Sequence, residues 1–413
     1  MSFSDPEIAA IAARTVFPLG TTADFDHEPR VRIVFGAGSS MRAGELARDY
    51  GARRVLLVTD PGIVAAGHAG RIQGNLEAAG LHVVAFDHAD QNPTTATVAR
   101  CVEVARRENI DFIIGLGGGS AMDTAKGANF IVSNGGRMED YWGHGKAAKP
   151  MLPFIAIPTT AGTGSECQSY ALIAQENTHA KMACGDPKAA AKVAILDPEL
   201  TLSQPRRVTA FTGIDTITHA VESAVTKKRN ALSLMYSHEA FKLAIASFPQ
   251  VLSSPQDIEA RGRMQLAAAF AGTAIENSML GAAHSAANPL TAHYDIVHGL
   301  AVGMMLPHVI RFNAENPEAR RAYAELASAP ELACVSEGED YATEVLVRHL
   351  ESLLDLAQFP PSLADCGLKK SDIPTLADEA AAQWTAKFNP RPITADDFRT
   401  LYTAALEPRS VQG

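Results

Sequence analysis

Hydrophobic and polar positions change rhythm along this chain of 413 residues. Between residues 31 and 200, short β-branched apolar runs end in glycine, proline or aspartate and alternate with stretches of helical spacing. The runs are VRIVFGAG (31–38), Val55 to Thr59 closing on Asp60-Pro61-Gly62, LHVVAFD (81–87), DFIIGLGGGS (111–120), MLPFIAIPTTAGTGSE (151–166) and KVAILDPEL (192–200). Between them a helical stretch runs to Gly80, TATVARCVEVARRE (95–108) lines up Val98, Val102 and Ala105 on one face, and AMDTAKGANFIVSN follows the glycine turn. Buried-type strands alternating with helices predict a mostly parallel sheet covered on both faces.

Beyond Pro205 the texture becomes long Ala/Leu-rich segments of helical spacing with no strand run. A chain this long exceeds one ordinary core, so the pattern predicts two domains: α/β over residues 1–205 and all-helical over 206–413. The Phe359-Pro360-Pro361 and Asn389-Pro390-Arg391-Pro392 segments read as corners between helices, because proline stops a helix and biases the residue before it toward extended backbone. Residues 1–30 are weakly patterned around Phe17-Pro18-Leu19-Gly20.

Charge narrows the choice of partners. The formal net charge is −10, and the one compact basic run, Lys227-Lys228-Arg229, reads as a helix end whose dipole favours cations. Nucleic acid and anionic membranes are poor partners for such a surface. The opening MSFSDPEIAAIAART lacks a basic and apolar signal pattern, and no run approaches the ~18 apolar residues of a membrane span, so a cytoplasmic protein is expected. Five widely spaced cysteines without a CxxC pair fit reduced thiols rather than a disulfide frame.

Two loops carry candidate nucleotide chemistry. Gly115 to Ser120 lies between a strand and a helix, where glycines let backbone approach a pyrophosphate and the helix N-terminus offers free N–H groups. Ser120 equally suits the N-cap of that helix, with Asp123 opposing the dipole. The second loop, Pro158 to Glu166, brings hydroxyls and small residues to another strand end, the place where ligands gather in open α/β sheets. Asp60 can accept hydrogen bonds from an adenosine ribose, favouring NAD over NADP; it also has the form of an N-cap followed by proline.

In GIDTITHAVESAVT, Ile214, Ile217, Val221 and Val225 form one helical stripe while Asp215, His219, Glu222 and Thr226 form another. Asp215 and His219, four apart, lie on one face and can share an ion, although a solvated helix face has the same pattern. The second stretch, GAAHSAANPLTAHYDIVHG (281–299), adds His284 and His298. These stand 14 residues apart, which in one straight helix is about 21 Å. A break near Asn288-Pro289 would let them meet, and the four side chains then read as one site for Fe(II), Zn(II) or a similar divalent ion. His293 and His308 flank this stretch; the other histidines read as surface or core residues.

The segments GLGGGSAMDTAK, PTTAGTGSE, GIDTITHAVE and the block from His284 through NPLTAHYDIVHGLAVGMMLPHV, in this order and spacing, resemble the iron-containing (group III) alcohol dehydrogenases from about Val31 to Arg391. The resemblance implies a dehydroquinate-synthase-like fold, with an N-terminal Rossmann-like nucleotide-binding domain, a C-terminal helical metal-binding domain and an active site in the cleft between them. It implies metal ligands Asp215, His219, His284 and His298, and nucleotide contacts from Asp60, Asn92, Gly118, Gly119, Ser120, Thr159, Thr160, Thr163 and Lys181. It also implies hydride transfer between a metal-bound primary alcohol or aldehyde and NAD, with NADP as the other nicotinamide option, in a homodimer. The metal would be Fe(II), with Zn(II) as the alternative.

Many family members carry a histidine four residues after the third ligand; this chain has Asn288, which can hydrogen-bond substrate or ribose but cannot titrate. Maleylacetate reduction and hydroxyacid–oxoacid transhydrogenation use the same framework on carboxylated substrates, which call for a cationic anchor that no motif here supplies. A nucleotide-binding pseudoenzyme would usually have lost a ligand, and all four are present.

Overall fold

The computed structural model describes residues 23–177 and 180–409, so the opening segment and His179 lie outside the described residues. In chain order the first part runs β1 (Arg32–Phe35), α1 (Ala43–Asp49), β2 (Arg54–Val58), α2 (Pro61–Ala65), α3 (His68–Ala78), β3 (His82–Phe86), α4 (Thr95–Arg107), β4 (Phe112–Gly117), α5 (Gly119–Asn134), β5 (Gly143–His144), β6 (Phe154–Pro158), β7 (Tyr170–Ala174), β8 (Lys181–Gly185) and β9 (Val193–Leu196).

The six runs expected as strands are the six members of one parallel sheet, ordered β1-β9-β6-β4-β2-β3. Period-two alternation divides each strand between two cores. Leu56, Val58, Ile113 and Phe154 face α4 and α5, where Val98, Val102 and Ala125 meet them. Val55, Leu57, Ile114 and Ile155 face the other layer with Leu46, Ile72 and Leu76. A sheet buried on both faces needs apolar residues at consecutive positions, which is why β2 and β4 carry continuous runs.

Helix starts follow local chemistry. Thr94 caps α4 in a reciprocal box with Thr97, and Asp60 caps α2 with Pro61 at its first position. The sequence pattern did not reveal a second sheet of three strands, β5-β8-β7, in which β7 and β8 pair antiparallel. Its β5 has only two residues, and β7 (YALIA) and β8 (KMACG) carry a single β-branched residue between them, Ile173, so they lack the β-branched runs that mark the main sheet. Gly185 is required there, since a Cβ would come within 2.3 Å of the Tyr170 ring.

From residue 206 the described chain is helical: α6 (Arg206–Ser223), α7 (Ala231–Ser253), α8 (Ile258–Ser278), α9 (Ala282–Tyr294), α10 (His298–Asn313), α11 (Pro317–Ser328), α12 (Glu339–Leu356), α13 (Ile373–Ala382) and α14 (Ala395–Leu406). No helix among the described residues is long and apolar enough to cross a membrane. Lys227-Lys228-Arg229 follow α6 in a turn, where Arg229 donates to the carbonyls of Val225 and Thr226.

The described residues form two compact units, and the division differs from a single cut at 205/206. One unit takes residues 27–212 and 250–276; the other takes 213–249 and the helices from 277 onward. Most of α8 therefore belongs with the sheet. Gln265 donates to the Pro158 carbonyl at 3.0 Å, and Glu276 accepts the N–H and hydroxyl of Ser169 at 3.0 and 2.6 Å. A Cβ on Gly272 would meet the Gly164 carbonyl oxygen at 2.3 Å, so backbone packs directly on backbone.

Candidate functional site

Both stripes, which run along α6 and into the turn after it, are buried. Ile214, Ile217, Val221 and Val225 are 0–3% exposed, and Asp215, His219, Glu222 and Thr226 are 0–4% exposed, so the polar stripe is no solvated face. Burial of an acid and an imidazole one turn apart demands partners, and α9 and α10 bring them.

The break expected at Pro289 is elsewhere. Pro289 sits inside α9, which continues to Tyr294 and ends at Asp295 in the left-handed conformation (φ 52°). Proline removes one helical N–H and crowds the carbonyl four residues back, but side chains anchor this helix around it. Tyr402 donates to the Ala286 carbonyl at 2.7 Å, and the Ser285 hydroxyl bonds the Thr385 hydroxyl at 2.7 Å. The turn at Asp295–Val297 then starts α10 at His298.

Asp215, His284 and His298 form one close group, and His219, the fourth expected ligand, stands beside it. From Asp215 Oδ1, the Nε2 atoms of His219, His284 and His298 lie 3.5, 3.7 and 3.9 Å away, and the His219 and His284 rings stack with centroids 4.7 Å apart. Candidate ligand atoms of Asp215, His284 and His298 all fall within 4.8 Å of one another, a group that does not include His219. Such separations are long for hydrogen bonds, whereas two ligands about 2.1 Å from a tetrahedral ion are roughly 3.4 Å apart. Asp215 Oδ1 and His284 Nε2 are buried without a hydrogen-bond partner. Orphaned acceptor and imidazole atoms aimed at one point are what a divalent ion would satisfy, so the donor set fits a metal.

Access is graded. The His298 side chain is 24% exposed, against 6% for His284 and 5% for Asp215. Of these three side chains, His298 is the one most open to solvent.

Electrostatics keep the group ready. Burial raises the Asp215 pKa, but the three imidazoles outweigh it and hold the carboxyl well below the usual carboxylate range. Burial opposes a charged His284, yet the carboxylates of Glu222 and Asp215 prevail and lift its pKa to about 9 in the metal-free protein.

Glu222 is the residue that sequence reading placed on the right stripe without giving it a part. Its Oε2 lies 2.5 Å from His284 Nδ1 and its Oε1 accepts the Ala283 N–H at 2.7 Å. The signal was its spacing, seven residues after Asp215 on one helix face. His293 instead pairs with Glu379 at the surface, 2.9 Å away. His308 lies ten residues beyond His298, its pKa pushed down to about 4 by burial and by the charges of Arg311 and Arg409. Asn288, half-buried and one turn after His284, donates to Gln383 Oε1 at 3.0 Å.

In the sheet unit, the candidate nucleotide loops leave the carboxyl ends of neighbouring strands β2, β4 and β6. The Thr159 N–H donates to the Gly117 carbonyl at 3.0 Å. A Cβ on Gly118 would touch Thr160 at 3.4 Å, and one on Gly119 would overlap Thr163 Cγ2 at 2.8 Å. Asp60 Oδ2 would lie 3.2 Å from a Cβ on Gly117, while Asp60 Oδ1 caps Gly62 and Ile63. The Asn92 N–H, in the left-handed region at φ 54°, reaches Ser120 Oγ at 3.4 Å. The structure thus gathers Asp60, Asn92, Gly118, Gly119, Ser120, Thr159, Thr160 and Thr163; half-buried Lys181 opens β8, its charge acting on Asp123.

Ser120 is not the N-cap. That position is Gly118, and no side chain caps α5, which leaves first-turn N–H groups for an anion. The Thr159 hydroxyl is buried without a hydrogen-bond partner. Both features fit a dinucleotide.

Sequence reading also missed what holds the two loops together. Buried Lys126 in α5 donates to the carbonyls of Ser165, Gln168 and Tyr170 at 2.5, 2.8 and 3.0 Å and to Ser165 Oγ at 2.9 Å, and Ser165 Oγ in turn donates to Asp123 at 2.9 Å.

Comparison with known proteins bears on both units. Residues 29–198 match the model of the family described as iron-containing alcohol dehydrogenase, and residues 209–406 match the C-terminal model of the Fe-containing alcohol dehydrogenase family. The chain is 34% identical over 373 residues to alcohol dehydrogenase 4 of Schizosaccharomyces pombe, covering 90% of this chain and 87% of that one. It is also 34% identical over 373 residues to the NAD-dependent methanol dehydrogenase of Bacillus methanolicus, covering 90% and 97%. A solved 1,3-propanediol oxidoreductase superposes with a TM-score of 0.89 at 31% identity, covering 93% of this chain and 100% of that one.

Proposed function

Because the chain belongs to the iron-containing alcohol dehydrogenase family, we propose that it is a metal-dependent, NAD-linked oxidoreductase interconverting a primary alcohol and its aldehyde. The observation that carries the reading is the gathering of the His219, His284 and His298 imidazoles within 3.5–3.9 Å of Asp215 Oδ1, with Asp215 Oδ1 and His284 Nε2 left without hydrogen-bond partners. Fe(II) is the expected ion and Zn(II) the alternative, since both suit a carboxylate with three imidazoles. When bound, the metal supplies Lewis-acid polarisation of an alcohol or carbonyl oxygen, and the nicotinamide accepts or returns the hydride.

The chain's own residues bind and orient. Asp215 stays anionic and offsets part of the metal's charge. His298 stands on the accessible side and borders the substrate's approach. Asn288 can hydrogen-bond a substrate or ribose hydroxyl but cannot take a proton, so proton release goes to water or to the ribose hydroxyls. The uncapped start of α5, Gly118 to Ser120, receives the pyrophosphate, and Thr159, Thr160, Thr163, Asn92 and Lys181 surround the dinucleotide. Asp60, with one oxygen beyond those bonds that cap α2, takes the adenosine ribose and disfavours a 2′-phosphate. A neutral primary alcohol suits a centre built from imidazoles and carboxylates better than a carboxylated substrate. Five free thiols fit a reducing, cytoplasmic setting, and the family resemblance supports a homodimer.

The test follows NADH formation with a panel of primary alcohols before chelation, after it, and after reloading with Fe(II) or Zn(II). Activity indifferent to chelation sinks the metal role. Equal use of NADP removes the role given to Asp60.

A further inference from the structure

Glu222 is 2% exposed, and both its oxygens are committed to the first turn of α9. Oε1 accepts the Ala283 N–H at 2.7 Å, and Oε2 lies 2.5 Å from His284 Nδ1. Gly281 belongs to the same fit, because a Cβ there would come within 3.1 Å of both Glu222 Oε1 and Asn389 Oδ1. An ionised carboxylate only accepts hydrogen bonds, so this contact puts an imidazole proton on Nδ1. The remaining nitrogen, Nε2, is the atom that faces Asp215 Oδ1 at 3.7 Å.

We infer that Glu222 is a positioning residue of the metal centre: its carboxylate selects the Nδ1–H tautomer of His284, fixes the plane of the ring and strengthens Nε2 as a donor to the ion. The inference rests on the metal-site reading above. It concerns ion affinity and geometry, not the hydride step itself.

The chemistry is directional. Glu222→Gln turns one acceptor oxygen into an NH2 donor. Facing Ala283, that group opposes an N–H; facing His284 Nδ1, it donates to the ring and drives the proton to Nε2, the tautomer that cannot ligate. Neither orientation reproduces the native pair. Thr385 provides the control: its hydroxyl bonds Ser285 in the same turn of α9 at 2.7 Å, so Thr385→Val loosens the helix without removing a partner of the imidazole.

Competition between the full-length protein and a Zn(II) chelator reads ion affinity, the visible bands of the Co(II)-loaded protein read coordination geometry, and thermal melting of the metal-free protein reads the fold. Glu222→Gln is expected to bind Zn(II) about 10–100-fold more weakly and to shift the Co(II) bands, while Thr385→Val keeps native affinity and bands. Native affinity in Glu222→Gln, or an equal loss in both variants, overturns the inference. Should Glu222→Gln fail to fold, Glu222→Asp takes its place, withdrawing the carboxylate by one methylene; weakened Zn(II) binding with shifted Co(II) bands supports the role and native values overturn it. His284→Ala separates the two levels. If the native protein binds no Zn(II), or His284→Ala binds as tightly as the native protein, the metal site itself fails; if His284→Ala loses Zn(II) and Glu222→Gln does not, only the role of Glu222 fails.

Discussion

Replacing Lys126 by methionine tests how the two nucleotide loops are tied. The side chain is 1% exposed, and Nζ donates to three carbonyls and to Ser165 Oγ, which passes the interaction to Asp123. Burial pushes the Lys126 ammonium pKa down and the Asp123 carboxyl pKa up, so each charge depends on the other and on these bonds. Methionine fills most of the volume but leaves the carbonyls of Ser165, Gln168 and Tyr170 without this donor and strips Asp123 of the larger of the two lysine charges acting on it. One stranded buried group costs about 1–3 kcal/mol, and breaking a buried charge pair by removing one partner costs about 3–5 kcal/mol, which we take as the net because such losses do not add. For a unit of about 210 residues, at about 2–4 °C per kcal/mol, Lys126→Met should lower the melting temperature by roughly 6–20 °C. Differential scanning calorimetry with and without NAD measures it, and because Thr159, Thr160 and Thr163 ride on the tied loop, NAD should also protect the variant less. Ser165→Ala, which breaks the relay and spares three of the bonds, should cost less. A Lys126→Met shift below about 2 °C would refute the reasoning, since four bonds to a buried cation would then be worth under 1 kcal/mol.

Three further expectations follow from the same structure. Gly119→Ala places a Cβ 2.8 Å from Thr163 Cγ2; overpacking of about 1–3 kcal/mol should weaken NAD binding some tenfold in a fluorescence titration, with partial recovery in Gly119→Ala/Thr163→Ser, and unchanged affinity speaks against the loop contact. Burial pushes the Glu166 carboxyl pKa up from 4.5 to about 7, so the unfolded chain ionises first and folding loses stability as pH rises between those values. Glu166→Gln should therefore stabilise the protein at pH 8 by on the order of 3 kcal/mol and do little at pH 4.5; urea midpoints that differ equally at both pH values would contradict it. Asn288→His adds a titratable group one turn after His284, and the pH profile of turnover should change; an identical profile counts against proton transfer at that position.

The sheet was readable because its determinants are local. Val55 and Leu57 against Leu56 and Val58 encode two buried faces, and glycine, proline or aspartate closes each strand. The small sheet escaped because β7 and β8 carry only one β-branched residue, Ile173, and the grouping of residues 250–276 with the sheet unit escaped because it involves Gly272 meeting Gly164 across 108 positions of chain. At the candidate metal centre, the Asp215–His219 pair was legible as a helical i, i+4 spacing. The bend that brings in His298 was assigned to Pro289 on a sound local rule, yet Pro289 lies inside α9, which Tyr402 and Thr385 anchor through hydrogen bonds, and the chain turns at Asp295.

By itself, then, the amino-acid order determined the six strands of the main sheet, the helical character of the second half, the strand-end loops and four candidate metal-ligating side chains, because these depend on periodicity and residue chemistry within a few positions. Only the tertiary structure decided where the second helix turns, that the polar stripe of α6 is wholly buried, and that Glu222 meets His284 while Lys126 meets Ser165. Those pairings join residues 62 and 39 positions apart. No local pattern can encode them, since the cost of burying a charge is met by whichever partner the packed chain brings within a few ångströms.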